Sequence, residues 1–339
     1  MTKPHTLADW RAPALLLEAH LNQVILGQPQ AIRLLLIAVF ARGHALLEGN
    51  VGIGKTTLLR AMARGLGGEC GRIEGTVDLM PTDLVYHTYL DASGKPGVDP
   101  GPLLRHGEQL STFFFNEINR ARPQVHSLLL RVMAEQSVSA FNREFYFPHL
   151  LVFADRNRVE KEETFELPAA ARDRFTMEIA LDYPRDSGDL QAVMFEPRFH
   201  DTSELIRAVP EGLIDFKRLN SLAAEVQESI HASERLRLYA VDLWRATHHP
   251  GDFGIQLRDA EGIGAIQAGA SPRGMSLLVR AARVHAWLQA REAVLPEDVQ
   301  AVFHPVIAHR LVLDPVYEFH RSELVPELIC KILNAVAAP

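Results

Sequence analysis

Gly49-Asn50-Val51-Gly52-Ile53-Gly54-Lys55-Thr56 matches the phosphate-binding pattern G-x-x-x-x-G-K-[ST] at every fixed position. The chemistry asks for each of these residues. Glycines let the backbone turn so that its N–H groups converge on phosphate oxygens, Lys55 neutralises charge on the β- and γ-phosphates, and the Thr56 hydroxyl reaches Mg²⁺. Outward from the loop, Ala45-Leu46-Leu47 reads as a buried strand. Thr57 to Leu66, with Leu58, Leu59 and Met62 at helical spacing, reads as a helix whose N-terminus faces the anion. A Gly-rich turn that met the pattern by chance would lack this setting. The stretch predicts ATP with Mg²⁺ as the ligand, Gly49 through Thr57 as its cradle, and an exposed loop as the place of Lys55.

Short apolar runs at His44 to Glu48, Arg72 to Glu74, Thr112 to Asn116, Leu150 to Asp155 and Thr176 to Leu181 alternate with helical stretches. That alternation predicts an α/β fold with a parallel five-stranded sheet wrapped by helices. Before the sheet, Leu15 to Arg42 reads as two helices broken at Leu26-Gly27-Gln28-Pro29. Three glycines and three prolines between Asp91 and Pro102, and strand-like alternation from Ser137 to Phe147, predict loops or hairpins over one face. After Pro184 the strand signals stop. Amphipathic stretches at Leu213 to Ile230, Glu234 to His248, Pro272 to Ala290, Pro296 to Ala308 and Glu323 to Val336 predict an all-helical second domain, dividing the chain into 1–184 and 185–339. The segment Pro250 to Gly269, with five glycines, reads as an exposed loop.

Composition narrows the classes. At 339 residues, 47% hydrophobic and 23% charged, the chain has ordinary globular composition. No apolar run is as long as a membrane span and the N-terminus lacks a signal-peptide layout, so a soluble cytoplasmic protein with no direct membrane insertion is expected. Cys70 and Cys330 show no C-x-x-C spacing and read as reduced thiols. The adjacent pair His248-His249 reads as a solvated helix end rather than a ligand set. The net charge is −2 up to Pro184 and −5 beyond it, which argues against nucleic acid as the main partner.

The strand Phe113-Phe114-Phe115 ends in Asn116-Glu117-Ile118-Asn119-Arg120, where phosphate-loop enzymes place a metal-holding Asp and a water-activating Glu. Glu117 at the carboxyl end of that strand stands where it can polarise an attacking water. The Asp position holds Asn116. A neutral amide with one oxygen acceptor holds a Mg²⁺-bound water less strongly than a carboxylate, or the substitution is harmless because Thr56 and the phosphates supply most ligands.

Several strings, in order and spacing, resemble those of MoxR-type AAA+ ATPases from about Leu15 onward. They are Leu47-Glu48-Gly49, Pro81-Thr82-Asp83-Leu84, Pro100-Gly101-Pro102, Asn116-Glu117-Ile118-Asn119-Arg120-Ala121, Leu167-Pro168 followed by Asp173-Arg174-Phe175, and Gly269-Ala270-Ser271-Pro272-Arg273. The resemblance implies an AAA+ αβα nucleotide-binding core followed by a helical lid. It implies that Asn157 is the polar sensor that touches the γ-phosphate or positions the water with Glu117, although Asn after a strand is by itself an ordinary turn former. It implies that Arg174, with Arg172 as the alternative, enters the neighbouring subunit's site. Ser271 and Pro272 read as a helix cap and first-turn proline, and the resemblance implies that Arg273 after them reaches the nucleotide phosphates from the lid. It places Ile25, Leu26, Gly27 and Gln28 in the adenine pocket. Asn116 and the long segment Pro250 to Gly269 depart from the family pattern.

The resemblance implies a homo-oligomeric ring, most often a hexamer. It also implies a chaperone or remodelling ATPase acting in maturation or metal and cofactor insertion of a client, such as methanol dehydrogenase, with a von Willebrand factor A domain partner. Two alternatives remain at this level. One is a nucleotide-gated scaffold whose hydrolysis is very slow because of Asn116, and the other, disfavoured by charge, is a nucleic-acid motor.

Overall fold

The computed structural model describes residues 6–158, 165–257 and 265–339. The chain opens with a helix, α1 (Leu7–Val24), fixed at its start by a reciprocal cap. The Thr6 hydroxyl accepts the Asp9 N–H, and the Asp9 carboxylate accepts the Thr6 N–H. A turn through Gly27, whose φ of 71° suits glycine, leads into α2 (Pro29–Phe40), which starts on proline where no donor is needed.

The central sheet contains β1 (His44–Gly49), β2 (Glu69–Glu74), β3 (Leu110–Asn116), β4 (Leu151–Asn157) and β5 (Phe175–Ala180). All its pairings are parallel, in the order β2-β3-β4-β1-β5. A parallel sheet must be covered on both faces. β3 accordingly reads as an unbroken buried run. Its Phe114 joins the core under α1, α2 and α3 (Lys55–Leu66), while Phe113 and Phe115 join a second core with α4 (Pro123–Glu135).

The remaining long helices are α5 (Ser187–Phe195), α6 (Leu219–Ser229), α7 (Glu234–His248), α8 (Pro272–Leu288), α9 (Pro296–Ile307) and α10 (Arg321–Ala335). All but α5 share the first core, which runs from Trp10 to Val336. α8 packs on α2 and α6, and α9 lies against β5, the edge strand. Arg310, in the short turn after α9, fastens this layer to the start of β5. Its guanidinium donates to the carbonyls of Phe175 (2.6 Å) and Asp173 (2.9 Å) and to the Asp173 carboxylate (3.0 Å). Burial pushes its pKa down to about 10, which leaves it charged at neutral pH.

The sheet and most helices follow the sequence reading, and the main differences lie in the C-terminal region. The C-terminal region is helical but carries a two-stranded antiparallel ladder, Ile266–Ala268 with Val312–Leu313, too short for alternation to register. α5 was not anticipated because it buries none of its residues and so has no apolar face. α6 begins at Leu219 rather than Leu213, after a turn at Phe216–Arg218 whose Lys217 N–H is capped by Asp215. His248 is no solvated helix end: its Nε2 lies 2.9 Å from the Ala270 carbonyl and its ring packs on Trp244.

Both excursions from the sheet are hairpins, Tyr86–Leu90 with Pro96–Pro100 and Ser137–Ala140 with Arg143–Tyr146. Of the Gly-rich segment, residues 258–264 lie outside the described residues. Among the described residues no helix is long and apolar enough to cross a membrane, and Cys70 and Cys330 are unpaired.

The start of β1 carries a pH-sensitive joint. His44 Nδ1 accepts the Val152 N–H of β4 at 3.0 Å, and Nε2 faces the Met133 carbonyl of α4 at 3.3 Å. Only the neutral ring protonated at Nε2 satisfies both partners. Burial first, then the neighbouring Arg42 and Arg280, pushes the pKa down to about 4. A folded pKa below the unfolded value of about 6.5 gives stability present above pH 6.5 and lost as pH falls towards 4, worth up to roughly 3 kcal/mol. Replacing His44 with Gln should therefore cost stability at pH 7.5 but flatten the acid limb. Urea unfolding of both proteins from pH 7.5 to 4.5 should show their difference in free energy shrinking as the pH falls; a constant difference would refute the linkage.

Candidate functional site

β4 lies between β1 and β3, so the carboxyl ends of three adjacent strands deliver the phosphate loop, Asn157 and Glu117 to one place. The loop leaves β1 at Gly49, whose register partner on β4 is Asn157. Asn157 is thus the last residue of its strand rather than one beyond it. Gly54 holds φ at 89°, a conformation that residues with a Cβ rarely adopt, so the loop's last turn needs glycine. Ile25 Cδ1 lies beside this turn.

Lys55 does not lie on an exposed loop. It opens α3 and is only 6% exposed. A buried ammonium needs oxygen around it, and Nζ donates to the carbonyls of Gly49 (2.8 Å) and Asn50 (2.9 Å) and to Asn157 Oδ1 (2.8 Å), with Asp155 Oδ2 at 4.0 Å. The loop therefore already carries the cation that phosphate oxygens require. Beside it, Thr56 Oγ1 donates to Asn116 Oδ1 at 3.2 Å. A hydroxyl in the first turn of α3 and an amide oxygen at the end of β3 suit a hard cation such as Mg²⁺ that takes its remaining ligands from phosphates and water.

Glu117 has positive φ (51°) and ψ of 50°, a strained conformation for a residue with a Cβ. Its surroundings hold it there. The main-chain N–H donates to Asp155 Oδ1 (2.7 Å), Asn157 Nδ2 donates to Oε1 (3.2 Å), and Arg120 Nη1 donates to Oε2 (2.9 Å). Asn157 thus touches both Lys55 and Glu117, linking the phosphate side of the site to the carboxylate. Burial pushes the Asp155 pKa up to about 6, against the opposing effects of the Glu117 N–H and the Lys55 charge, so the carboxylate is ionised at neutral pH.

The expected base-side segment borders a cleft of about 910 Å³ lined by Gly27, Gln28, Asp182, Tyr183 and His304, among others. That volume is within the usual range for a small-molecule site. The Gln28 amide donates to the Asp182 carbonyl, and Tyr183 donates its hydroxyl to the Val51 carbonyl at 3.3 Å, so the cleft adjoins the loop. Leu26 is half-buried and does not line it.

Neither Arg273 nor Arg174 lies beside the phosphate loop of its own chain. Ser271 caps α8 as the sequence indicates, accepting the Gly274 N–H at 3.0 Å, and Arg273 lies in the first turn. The Arg273 guanidinium, however, meets Asp173 at 3.4 Å, ahead of β5. β5 is parallel to β1, and its first residue Phe175 stands opposite His44, where β1 begins. Asp173 and Arg273 are therefore at the far end of the sheet from the phosphate loop, about 17 Å of strand away. Arg273 does not reach phosphates bound to its own loop. Arg174 is at the same end, donating to the Ala170 carbonyl at 2.7 Å.

Sequence reading passed over Asp155, Arg120 and Asp173. A carboxylate inside an otherwise apolar strand beside the Asn116 strand was the available signal for the first. Asp173 accepts from Ser271 (2.6 Å), Arg273 and Arg310, a convergence of three segments that no local pattern announces.

Residues 44–177 match the ATPase family associated with various cellular activities (AAA), and residues 264–328 match the AAA lid domain. Protein MoxR of Methylorubrum extorquens is 59% identical over 98% of this chain and 97% of its own. Protein MoxR of Paracoccus denitrificans is 58% identical over 98% of both. Chaperone MoxR1 of Mycobacterium tuberculosis is 34% identical over 94% of this chain and 80% of its own. A crystal structure of a putative ATPase from Cytophaga hutchinsonii superposes with a TM-score of 0.83 at 29% identity, covering 98% of this chain and 97% of that one. The chain belongs to the MoxR family of AAA+ ATPases.

Proposed function

We propose that the protein is a cytoplasmic, ATP-hydrolysing remodelling factor that works as a ring, most simply a hexamer, on a client protein during maturation or metal and cofactor insertion. A von Willebrand factor A domain protein is the expected partner and a dehydrogenase such as methanol dehydrogenase the type of client. The observation that carries the reading is the Glu117 carboxylate held by Asn157 and Arg120 at the strand end beside Lys55 and Thr56. Glu117 takes a proton from the attacking water and Asn157 orients that water against the γ-phosphate. Mg²⁺, bound by Thr56 with Asn116 on its water shell, would offset phosphate charge. Gly49 to Thr57 cradle the phosphates, and Ile25 to Gln28 flank the base. The polypeptide divides into a core, 1–184, and a lid, 185–339.

Arg174 and Arg273 share the sheet end opposite their own phosphate loop, which supports placing both at the neighbouring subunit's nucleotide. A planar cation arriving only on assembly makes hydrolysis depend on the ring. The relative named Chaperone MoxR1 supports the remodelling role. Slow hydrolysis by a nucleotide-gated scaffold is the second reading, and it is favoured by Asn116 alone.

Replacing Lys55 with Ala should abolish ATP binding measured by calorimetry. It should also lower the melting temperature modestly, because the Gly49 and Asn50 carbonyls lose their buried donor at a cost of about 1–3 kcal/mol. Tight ATP binding by a folded K55A protein would rule out the phosphate-loop assignment.

Either Arg174→Ala or Arg273→Ala should cut ATPase turnover, for Arg174 by about a thousandfold. Mixing either variant with Glu117→Gln subunits should restore part of the activity, since each subunit supplies what its neighbour lacks. Background rates at every mixing ratio, with ring assembly intact by sedimentation, would refute action across the interface.

The Glu117→Gln ring should bind ATP and hydrolyse it at least roughly 100-fold more slowly. Its ATP-bound form then persists and retains whatever that state grips. Affinity capture from native extract with and without ATP should enrich a von Willebrand factor A protein only with ATP. Recovery of nucleic acid would overturn the remodelling role, and equal recovery without nucleotide would favour the scaffold.

A further inference from the structure

Asp155 is a carboxylate buried to 2% exposure on β4, between the strand of the phosphate loop and the strand of Glu117. Its two oxygens face different partners. Oδ1 accepts the Glu117 main-chain N–H at 2.7 Å, and Oδ2 lies 4.0 Å from Lys55 Nζ. The sheet register also makes it the neighbour of Asn116. Phe115 of β3 stands opposite Ala154 of β4, so the next residues on each strand are Asn116 and Asp155. Phe114 and Phe153 join one core while Phe115 and Ala154 join the other, and alternation then brings Asn116 and Asp155 out on the same face, the one α3 covers.

An amide thus occupies the place where a phosphate-loop enzyme keeps a carboxylate, and a carboxylate occupies the adjacent place on the next strand. Packing alone does not call for it. An ionised side chain inside a sheet is costly even when paired, and an apolar residue would fill the position at no such cost. Both partners of Asp155 belong to the site: the cation that meets phosphate, and the backbone of the carboxylate that meets water. Glu117 sits at a φ of 51°, a conformation that persists only where its surroundings enforce it, and the Asp155 hydrogen bond acts on the strained residue itself.

We propose that Asp155 is a positioning residue for ATP hydrolysis, holding the Glu117 main chain in its left-handed turn and supplying against Lys55 the negative charge that Asn116 lacks. This rests on Glu117 being the base. Asp155→Asn keeps an oxygen acceptor for the Glu117 N–H and loses the charge, Asp155→Ala loses both, and the double exchange Asn116→Asp with Asp155→Asn returns a carboxylate one strand over.

The three variants are compared with the wild type and with Glu117→Gln as assembled proteins, by ATPase turnover, by calorimetry of ATP binding with Mg²⁺, and by circular dichroism. Asp155→Asn should tighten ATP binding, because less negative charge faces the phosphates, while turnover falls. Asp155→Ala should lose a further factor of about ten in turnover, the scale of one neutral hydrogen bond. The double exchange should recover most of what Asp155→Asn loses.

A fall in turnover with no gain in affinity, folded Asp155→Ala with wild-type turnover, or a double exchange no faster than Asp155→Asn would each overturn the proposal. If Glu117→Gln hydrolyses ATP at the wild-type rate, the base assignment itself fails, an outcome distinct from these three.

Discussion

A buried ammonium has to be surrounded by oxygen, and at Lys55 that requirement ties the site together. Two of the oxygens are carbonyls of the phosphate loop and the third belongs to Asn157. The loop can close on the ammonium only if β1 hands it over level with the end of β4, which the register of Gly49 with Asn157 provides. The same Asn157 then donates from its nitrogen to Glu117. One amide, using its acceptor on one side and a donor on the other, couples the Lys55 ammonium to the Glu117 carboxylate. A neutral side chain suits this place because either charge would satisfy one neighbour and repel the other.

At the opposite end of the sheet Asp173 has a comparable part. It accepts from the cap of α8, from Arg273 and from the buried Arg310. Arg310 is kept charged by these acceptors and by carbonyls at the start of β5, so the helical layer is fixed to the sheet by a charged clamp as well as by apolar packing. Gly274 permits this, since a Cβ there would lie 2.4 Å from the Arg310 side chain. Because the clamp fixes where α8 begins, it also fixes which end of the sheet Arg273 occupies. A lid held this way cannot bring Arg273 over its own nucleotide by a small rotation, because Asp173 and the phosphate loop are separated by the length of β5.

The parts of the fold that were legible in the sequence are those with local causes. The phosphate loop, the five apolar strands and the caps at Ser271 and Pro272 are each specified by residues within a few positions of one another, and each appears where the pattern puts it. The ladder of Ile266–Ala268 with Val312–Leu313 joins segments more than forty residues apart and is too short to show alternation. α5 keeps all its residues at least partly exposed, so periodicity had nothing to report.

The site divides along the same line. Gly49 to Thr56 and Glu117 are readable as motifs. The burial of Lys55, the placement of Arg273 and the role of Asp155 depend on which strands are neighbours, and that order becomes visible only once the sheet is assembled. A motif carries the residue's identity but not the geometry of the chain around it, and Lys55, expected on an exposed loop and found buried, is the position where the two part.

Charge arithmetic explains why Asn116 need not impair the site. Lys55, Arg120, Glu117 and Asp155 form a cluster of two cations and two carboxylates in which each carboxylate has a partner. A carboxylate at 116 with Asp155 unchanged would place three acidic groups against two cations in a partly dehydrated space, before any phosphate arrives. One of them would then take up a proton or repel the nucleotide. With an amide at 116, the Thr56 hydroxyl keeps an oxygen acceptor, and the count stays balanced until ATP and its cation enter together. The amide at 116 and the carboxylate at 155 are therefore one feature of the site, and the presence of either makes physical sense of the other.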